Sequence, residues 1–203
     1  MLIVHFGHSC LLVDTGAARL LFDPGAYSAG FEQVEDLDAI LITHEHPDHL
    51  DPARLPALRA ANPRARLVAP FELAGAELVR GGDALDLGGA AVDVVDAPHE
   101  VIHPRLPVPV NVGYLVDRGA FYHPGDSLTA PAQRVDVLGL PTAAPWMKVS
   151  DAADFLARVG PRKAVPIHEA ILAQTGIYHR VLVGTAPEGT EVVVLPRGEA
   201  VEL

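Results

Sequence analysis

Short apolar segments separated by turn residues run along most of this chain. Eleven of them are rich in Val, Ile and Leu, have the length of a strand and are bounded by Gly, Pro or Asp, which is typical of buried β-strands. The predicted strands cover residues 2–6, 10–13, 19–22, 39–43, 66–69, 91–95, 110–116, 121–122, 135–140, 163–167 and 191–195. Helical patterns interleave with these strands, so the order of elements predicts an α/β fold.

Capping and stop signals predict four helices between the strands. Asp51 and Pro52 are expected to begin a helix over 53–61 that ends at Asn62, and Pro56 falls within its early turns. Ser150 is expected to cap a helix over 151–159 that stops at Gly160. Two more helices are predicted over 169–174 and 177–183. No linker or shift in composition divides the chain, so residues 1–203 are predicted to form a single domain.

Two distant parts of the chain have similar sequences. Leu-Phe-Asp-Pro-Gly at 21–25 resembles Phe-Tyr-His-Pro-Gly at 121–125, and residues 37–41 resemble residues 135–139. Chance recurrence of a strand before a Pro-Gly turn explains this as well as a duplication does. A duplicated β-rich half would place a site between two similar sheets.

Composition narrows the class of protein further. With 49% hydrophobic residues the chain is not intrinsically disordered, and its only cysteine, Cys10, excludes a disulfide framework. The net charge of −11 disfavours a nucleic-acid partner, although bound divalent metals add positive charge that this count omits. The first residues lack a basic segment before their apolar run, and no 18-residue apolar stretch occurs, so we expect a cytoplasmic protein without a membrane anchor.

Ten histidines accompany the single cysteine, and three of them fall within six residues that also contain an aspartate. His44, His46, Asp48 and His49 follow the predicted strand 39–43, and open α/β folds place ligands at such strand ends. Two residues apart in an extended segment, His44 and His46 project to the same side and can hold one metal ion. Asp48 and His49 follow Pro47, where the chain turns, and can face a second ion. A histidine-rich surface loop is the alternative interpretation.

The spacing His-x-His-x-Asp-His resembles the signature of the metallo-β-lactamase superfamily, and further motifs follow in that family's order. Asp-Ala-Pro-His ends at His99, Gly-Asp ends at Asp126, and the predicted strand 163–167 is followed by His168. The opening His-x-Gly-His-Ser is similar to the branch of ascorbate-6-phosphate lactonases and other small metal-dependent hydrolases. The resemblance spans about residues 6–169 and implies a four-layer αββα sandwich built from two similar halves.

The resemblance also implies a dinuclear metal centre and a hydrolytic reaction. Its ligands would be His44, His46 and His99 for the first ion, Asp48, His49 and His168 for the second, and Asp126 as the bridge. The expected metal is Zn²⁺, and Mn²⁺ or Fe²⁺ also suit mixed imidazole and carboxylate sites. A hydroxide between the two ions would attack a small ester, lactone or phosphodiester, with Asp48 as the catalytic residue that orients it and moves a proton. The expected partner is a small-molecule substrate, an anionic one included.

Other interpretations of these residues stay open. His99 and His103 also complete the zincin pattern His-Glu-x-x-His, which functions only within a helix, but Pro98 and Pro104 flank it. A metal-binding protein without turnover and a nuclease that acts on RNA or DNA are alternative functions. We expect His5 and His8 to be hydrogen-bonded structural residues, with metal ligation as the alternative. Asp23 would orient a ligating histidine or cap a turn, and Lys148 would be solvated or anchor an anion.

Overall fold

The computed structural model describes all 203 residues and contains fourteen strands and three α-helices. The strands are β1 (Leu2–Gly7), β2 (Cys10–Asp14), β3 (Arg19–Phe22), β4 (Ala39–Leu41), β5 (Arg66–Ala69), β6 (Glu77–Leu78), β7 (Ala84–Leu87), β8 (Ala90–Asp96), β9 (Val112–Val116), β10 (Phe121–His123), β11 (Val137–Pro141), β12 (Lys163–Ile167), β13 (Glu191–Val192) and β14 (Ala200–Glu202). The helices are α1 (Leu55–Ala61), α2 (Val149–Val159) and α3 (Thr175–Thr185), and short 3₁₀ helices cover Phe31–Gln33 and Asp117–Gly119.

The strands form two seven-stranded sheets that repeat one topology. The first sheet has the order β14-β1-β2-β3-β4-β5-β6, and the second has the order β7-β8-β9-β10-β11-β12-β13. In each sheet three antiparallel pairs are followed by three parallel pairs. The similar segments 21–25 and 121–125 lie at the ends of the corresponding strands β3 and β10, so the sequence similarity coincides with the structural repeat.

Alternation of side chains along the strands builds four layers, because successive residues point to opposite faces of a sheet. Phe22 of the first sheet and Phe121 of the second meet in the core between the sheets, with ring centroids 5.4 Å apart. Leu58 of α1 packs on the outer face of the first sheet. Phe155 of α2 and Leu182 of α3 pack on the outer face of the second. The predicted αββα sandwich is therefore confirmed.

Several predicted helix boundaries are wrong for local reasons. Helix α1 begins at Leu55 rather than at residue 53, since the Asp51 carboxylate closes a turn by accepting the N–H groups of Ala53 and Arg54 at 2.8 and 3.3 Å. Pro56 then falls in the first helical turn, where its missing N–H costs nothing.

Helix α2 begins two residues earlier than predicted, while its end is confirmed. It begins at Val149, and the carboxylate of Asp151 accepts the N–H of Lys148 at 2.7 Å, so Ser150 is not the cap. Gly160 ends the helix in the left-handed conformation as predicted, with φ of 55°.

The predicted helix over 169–174 does not exist. These residues form turns, in which the Glu169 carboxylate is bound by Arg197 and lies 2.6 Å from His179 Nε2. The helix predicted over 177–183 is present and longer, as α3. None of the three α-helices combines the length and apolar character that crossing a membrane requires.

Most of the predicted strands occur, with shifted ends. Strand β4 stops at Leu41 instead of residue 43, since Thr43 donates its N–H to the Asp23 carboxylate at 2.8 Å instead of continuing the ladder. Strand β9 begins at Val112, not residue 110, and β11 begins at Val137. The sequence did not predict β6, β7 and β14, whose side chains are largely exposed and which pair at or near sheet edges.

Candidate metal centre

Loops from both sheets converge on one group of histidines and aspartates. All seven predicted ligands are brought together there, and His8 joins them: one group is His44, His46, His99 and Asp126, and the other is His8, Asp48, His49 and His168. Within each group the potential ligand atoms all lie within 4.8 Å of one another. His44 to His49 follow β4 of the first sheet, whereas Asp126 and His168 follow β10 and β12 of the second. The site therefore needs both halves of the sandwich.

Four of the imidazoles use one ring nitrogen to bond to an oxygen atom and turn the other inward. The Nδ1 distances are 3.1 Å from His44 to Thr43 Oγ1, 2.6 Å from His49 to Asp23 Oδ2, 2.6 Å from His99 to Glu100 O and 2.5 Å from His168 to Ala143 O. An imidazole that donates through Nδ1 has its lone pair on Nε2, which is how metal-ligating histidines are commonly oriented.

Several of the inward atoms have no hydrogen-bond partner. They are Nε2 of His49, His99 and His168 and Oδ1 of Asp126, all buried. Asp126 Oδ1 lies 3.0 Å from His49 Nε2 and 3.1 Å from His168 Nε2, and Oδ2 lies 3.5 Å from His99 Nε2, so the carboxylate stands between the two groups. Buried polar atoms without partners are costly, and imidazole nitrogens that converge with carboxylate oxygens are the ligand set of Zn²⁺, Mn²⁺ and Fe²⁺. The residues present therefore fit divalent metal ions.

The charges of these residues are strongly coupled. Burial alone would lower the pKa of His168, but the Asp126 carboxylate outweighs it and raises the pKa to about 9. Burial would also lower the pKa of His49, but the carboxylates of Asp126 and Asp23 outweigh it and raise that pKa well above its usual value. At Asp126 burial is outweighed by these two imidazoles, which hold the pKa of the carboxyl well below its usual range. A metal ion held by His49 and His168 would therefore compete with protons.

Asp23 is fully buried and accepts hydrogen bonds from two residues of the loop after β4. Its carboxylate accepts the N–H of Thr43 at 2.8 Å, the Thr43 hydroxyl at 2.7 Å and Nδ1–H of His49 at 2.6 Å. Of the two roles expected for Asp23, these contacts match the first, because they fix the ring of His49, a predicted ligand. The backbone is left-handed at Asp23, His8 and His168, with φ of 45°, 46° and 59°, and such strained residues are concentrated at functional sites.

Two glycines at equivalent positions of the repeat let the loops approach closely. A Cβ on Gly25 would lie 1.8 Å from the carbonyl oxygen of Asp48. A Cβ on Gly125 would lie 2.2 Å from Asn111 Oδ1 and 2.7 Å from Thr43 Cβ. The Pro-Gly turns of both halves therefore support ligand-bearing loops directly.

Two residues contact the predicted ligands in ways that sequence reasoning missed. His8, which we expected to be structural, places Nε2 3.0 Å from Asp48 Oδ2. Trp146 donates its indole N–H to Asp126 Oδ2 at 3.0 Å. The only sequence signal for Trp146 is its place in the loop after β11, which corresponds to the loop after β4 that carries His44.

Other candidates are placed away from the centre. Residues 99–103 are not helical, so the zincin interpretation is wrong; His103 is exposed, and Glu100 Oε1 accepts the N–H of Leu128 at 3.2 Å. Lys148 is exposed at the start of α2.

Comparison with known proteins agrees with this architecture. The family model described as the β-lactamase superfamily domain matches residues 2–168. The protein Rv0786c of Mycobacterium tuberculosis is 49% identical over 99% of both chains, and a UPF0173 metal-dependent hydrolase of Opitutus terrae is 29% identical over the whole of both. Among solved structures, the metallohydrolase Igni18 of Ignicoccus hospitalis aligns with a TM-score of 0.74 at 22% identity, over 98% of this chain and 97% of that one.

A second structural neighbour has a name that states its fold. The metallo-β-lactamase fold protein YhfI of Bacillus subtilis aligns with a TM-score of 0.73 at 16% identity, again over 98% and 97% of the chains. At these identities the two structures show a shared fold. The fold and the family model, which matches most of the chain, define the same class of protein. The chain belongs to the metallo-β-lactamase superfamily.

Proposed function

We propose that this metal-dependent hydrolase holds two divalent ions that share Asp126 and cleaves a small ester, lactone or phosphodiester. One observation carries the proposal: buried, unpaired Nε2 atoms from both ligand groups point at the two oxygens of a single buried carboxylate. His44, His46 and His99 would hold the first ion, and Asp48, His49 and His168 the second. Zn²⁺ is the metal we expect from this donor set.

Asp48 is the residue of the second group that is placed to act on a substrate. When bound, the ions would lower the pKa of water and polarise a carbonyl or phosphoryl oxygen. The side chain of Asp48 is 21% exposed, whereas His49 and His168 beside it are buried. Its carboxylate can therefore reach a reacting molecule, accept a proton from the attacking water and return it to the leaving group.

The local charge favours a small anionic substrate. Two dications outweigh the carboxylates of Asp48 and Asp126, so the centre would be positive within a protein whose net charge is −11. A long nucleic acid would interact with a protein of net negative charge, while a small anion would meet the centre alone. We therefore place the substrate among small carboxylate- or phosphate-bearing molecules.

The test combines metal analysis with a substrate screen. Purified protein loaded with Zn²⁺ or Mn²⁺ is expected to contain two ions per chain and to hydrolyse at least one generic lactone, thioester or phosphodiester. Asp126→Asn keeps the shape of the side chain but removes its charge, and should lose at least one ion and nearly all turnover. Asp36→Asn is the matched control, because Asp36 is 82% exposed and its left-handed backbone suits asparagine.

Each outcome of that test separates one alternative. Two tightly bound ions without turnover on any substrate would support a metal-binding protein that lacks activity. A separate RNA-binding measurement addresses the other alternative: binding at low salt that weakens steeply as salt increases would support a nuclease. Full metal content and activity in Asp126→Asn would refute the shared carboxylate.

A further inference from the structure

His8 lies outside the predicted ligand set but touches its most exposed member. Its imidazole is fully buried, with Nε2 3.0 Å from Asp48 Oδ2 and the ring centroid 4.0 Å from that of His168. It can therefore be either another ligand of the second ion or a support for Asp48. We propose that His8 is a positioning residue, which holds Asp48 by donating a hydrogen bond and does not bind the metal.

The partner of the other ring nitrogen decides between the two roles. The backbone N–H of Ala170 lies 3.3 Å from His8 Nδ1, and an N–H group can only donate. Nδ1 therefore carries the lone pair, and in a neutral imidazole the proton must be on Nε2. This N–H points at a carboxylate oxygen, which can only accept. Neither nitrogen of His8 has a lone pair left for a metal.

The turn that carries His8 is built around its unusual backbone. The φ of His8 is 46°, and the carbonyl of His8 accepts Nε2–H of the buried His5 at 2.9 Å and the N–H of His168 at 3.0 Å. The next carbonyl, that of Ser9, accepts Nε2–H of the buried His123 at 3.0 Å. Two imidazoles that the centre does not use thus fix the turn on which His8 stands.

This support matters because Asp48 has few other restraints. Its side chain is the partly exposed member of the second group, and His168 Nε2 lies 3.5 Å from the same oxygen. If the Asp48 carboxylate could rotate freely, one oxygen would not stay in position to bind a metal ion and the other would not stay directed toward a substrate. The function assigned to His8 rests on the dinuclear centre that we propose above, whereas the hydrogen bond itself belongs to the protein alone.

Substitution of His8 by glutamine or by asparagine distinguishes the role of Nε2 from that of Nδ1. The amide nitrogen of glutamine reaches the place of His Nε2, while the shorter asparagine reaches only the place of Nδ1. His8→Gln therefore restores a donor to Asp48, and His8→Asn removes it, although asparagine is the residue better suited to a left-handed backbone. Zn²⁺ affinity of both variants is measured by competition with a chromophoric chelator, and the fold is checked by thermal unfolding of the metal-free proteins.

We expect His8→Asn to weaken binding of the second ion by about 10- to 100-fold, which is the usual effect of losing a hydrogen-bond partner of a metal ligand, and to leave binding of the first ion unchanged. His8→Gln should recover most of that affinity. In an Asp48→Asn background, His8→Asn should have no further effect, because the bond that it removes is already altered. Equal losses in the glutamine and asparagine variants would show that His8 is a ligand, and wild-type affinity in His8→Asn would show that it has no role; either overturns the proposal.

The ¹⁵N NMR spectrum of the imidazoles in wild-type protein provides a readout that needs no variant and no metal. The proposal predicts that His8 is the neutral tautomer protonated at Nε2, and a proton on Nδ1 contradicts it. Metal analysis keeps the two proposals apart. A wild-type protein that binds one ion would refute the dinuclear centre, while the tautomer still decides whether His8 supports Asp48.

Discussion

Replacement of Gly25 by alanine tests how closely the loop after β3 must approach the ligand-bearing loop after β4. A Cβ on Gly25 lies 1.8 Å from Asp48 O and 2.5 Å from His49 N, whereas ordinary contact begins at 3.4 Å. The backbone of Gly25 is not left-handed, so alanine brings no conformational penalty of its own. The methyl group must therefore force the two backbones apart by about 1.6 Å at the carbonyl contact.

The size of this displacement sets the expected effects. Overpacking typically costs about 1–3 kcal/mol, and we expect the upper end here, because the obstacle is backbone instead of a flexible side chain. For a chain of 203 residues a loss of about 3 kcal/mol lowers Tm by roughly 6–12 °C. A shift of an ångström or more at Asp48 and His49 should also weaken the second ion by about a hundredfold, given the geometric precision that such sites need.

Thermal unfolding of the metal-free protein measures the first effect, and chelator competition with Zn²⁺ measures the second. The control is Gly184→Ala, because a Cβ on Gly184 of α3 meets nothing within 4 Å. This change should leave metal affinity unchanged and stabilise the helix by up to about 1 kcal/mol. If Gly25→Ala unfolds at the wild-type temperature and binds both ions normally, the loops adapt freely and the steric argument is wrong.

Three further substitutions test separate contacts. Asp23→Asn removes the negative acceptor of His49 Nδ1–H and should weaken binding of the second ion about 10- to 100-fold in the chelator assay. Asp14→Asn, at a partly exposed site, should leave metal affinity unchanged. Trp146→Phe keeps an aromatic ring but loses the hydrogen bond to Asp126, so metal affinity should fall by about tenfold. In wild-type protein, Zn²⁺ should change the fluorescence emission of this sole tryptophan, and unchanged emission would contradict its contact with the centre. Arg54→Met should cost roughly 2 kcal/mol near pH 7 by urea unfolding, because Arg54 binds the carboxylates of Glu32 and Asp51. Although burial opposes the shift, Arg54 lowers the pKa of both carboxyls, so the part of the difference that comes from these ion pairs is present above their unfolded pKa values and should be lost as the pH falls through the lowered ones. The part that comes from its bonds to the carbonyls of Ser28 and Gly25 should remain, and a difference that stays constant down to pH 2 would exclude the ion pairs as a source.

The loops that carry the predicted ligands could be located from the sequence because their signals are local. His44 to His49 form one short motif, and the strands before Asp126 and His168 are apolar runs with clear ends. Each of these strands is buried on both faces, so hydrophobicity alone marks it. The four layers follow from such strands alternating with helices that have one apolar side.

Features that depend on distant partners were not predictable. Strand β14 has mostly exposed residues and exists because it pairs with β1 from the opposite end of the chain. The expected helix after His168 is replaced by turns, in which Glu169 is held by residues of α3 and of the segment before β14. The contacts of His8 with Asp48 and of Trp146 with Asp126 join residues 40 and 20 positions apart, and no periodic pattern records them.

The division of the ligands between the two halves has a mechanical consequence. His44 and Asp48 come from the first sheet's loops, whereas Asp126 and His168 come from the second's, so each ion would join both sheets. The ions would then act as crosslinks at one edge of a sandwich that is also held together by the apolar layer around Phe22 and Phe121. If two ions bind as proposed, any change in that layer that slides one sheet over the other would alter the coordination of both ions together, even from far inside the protein.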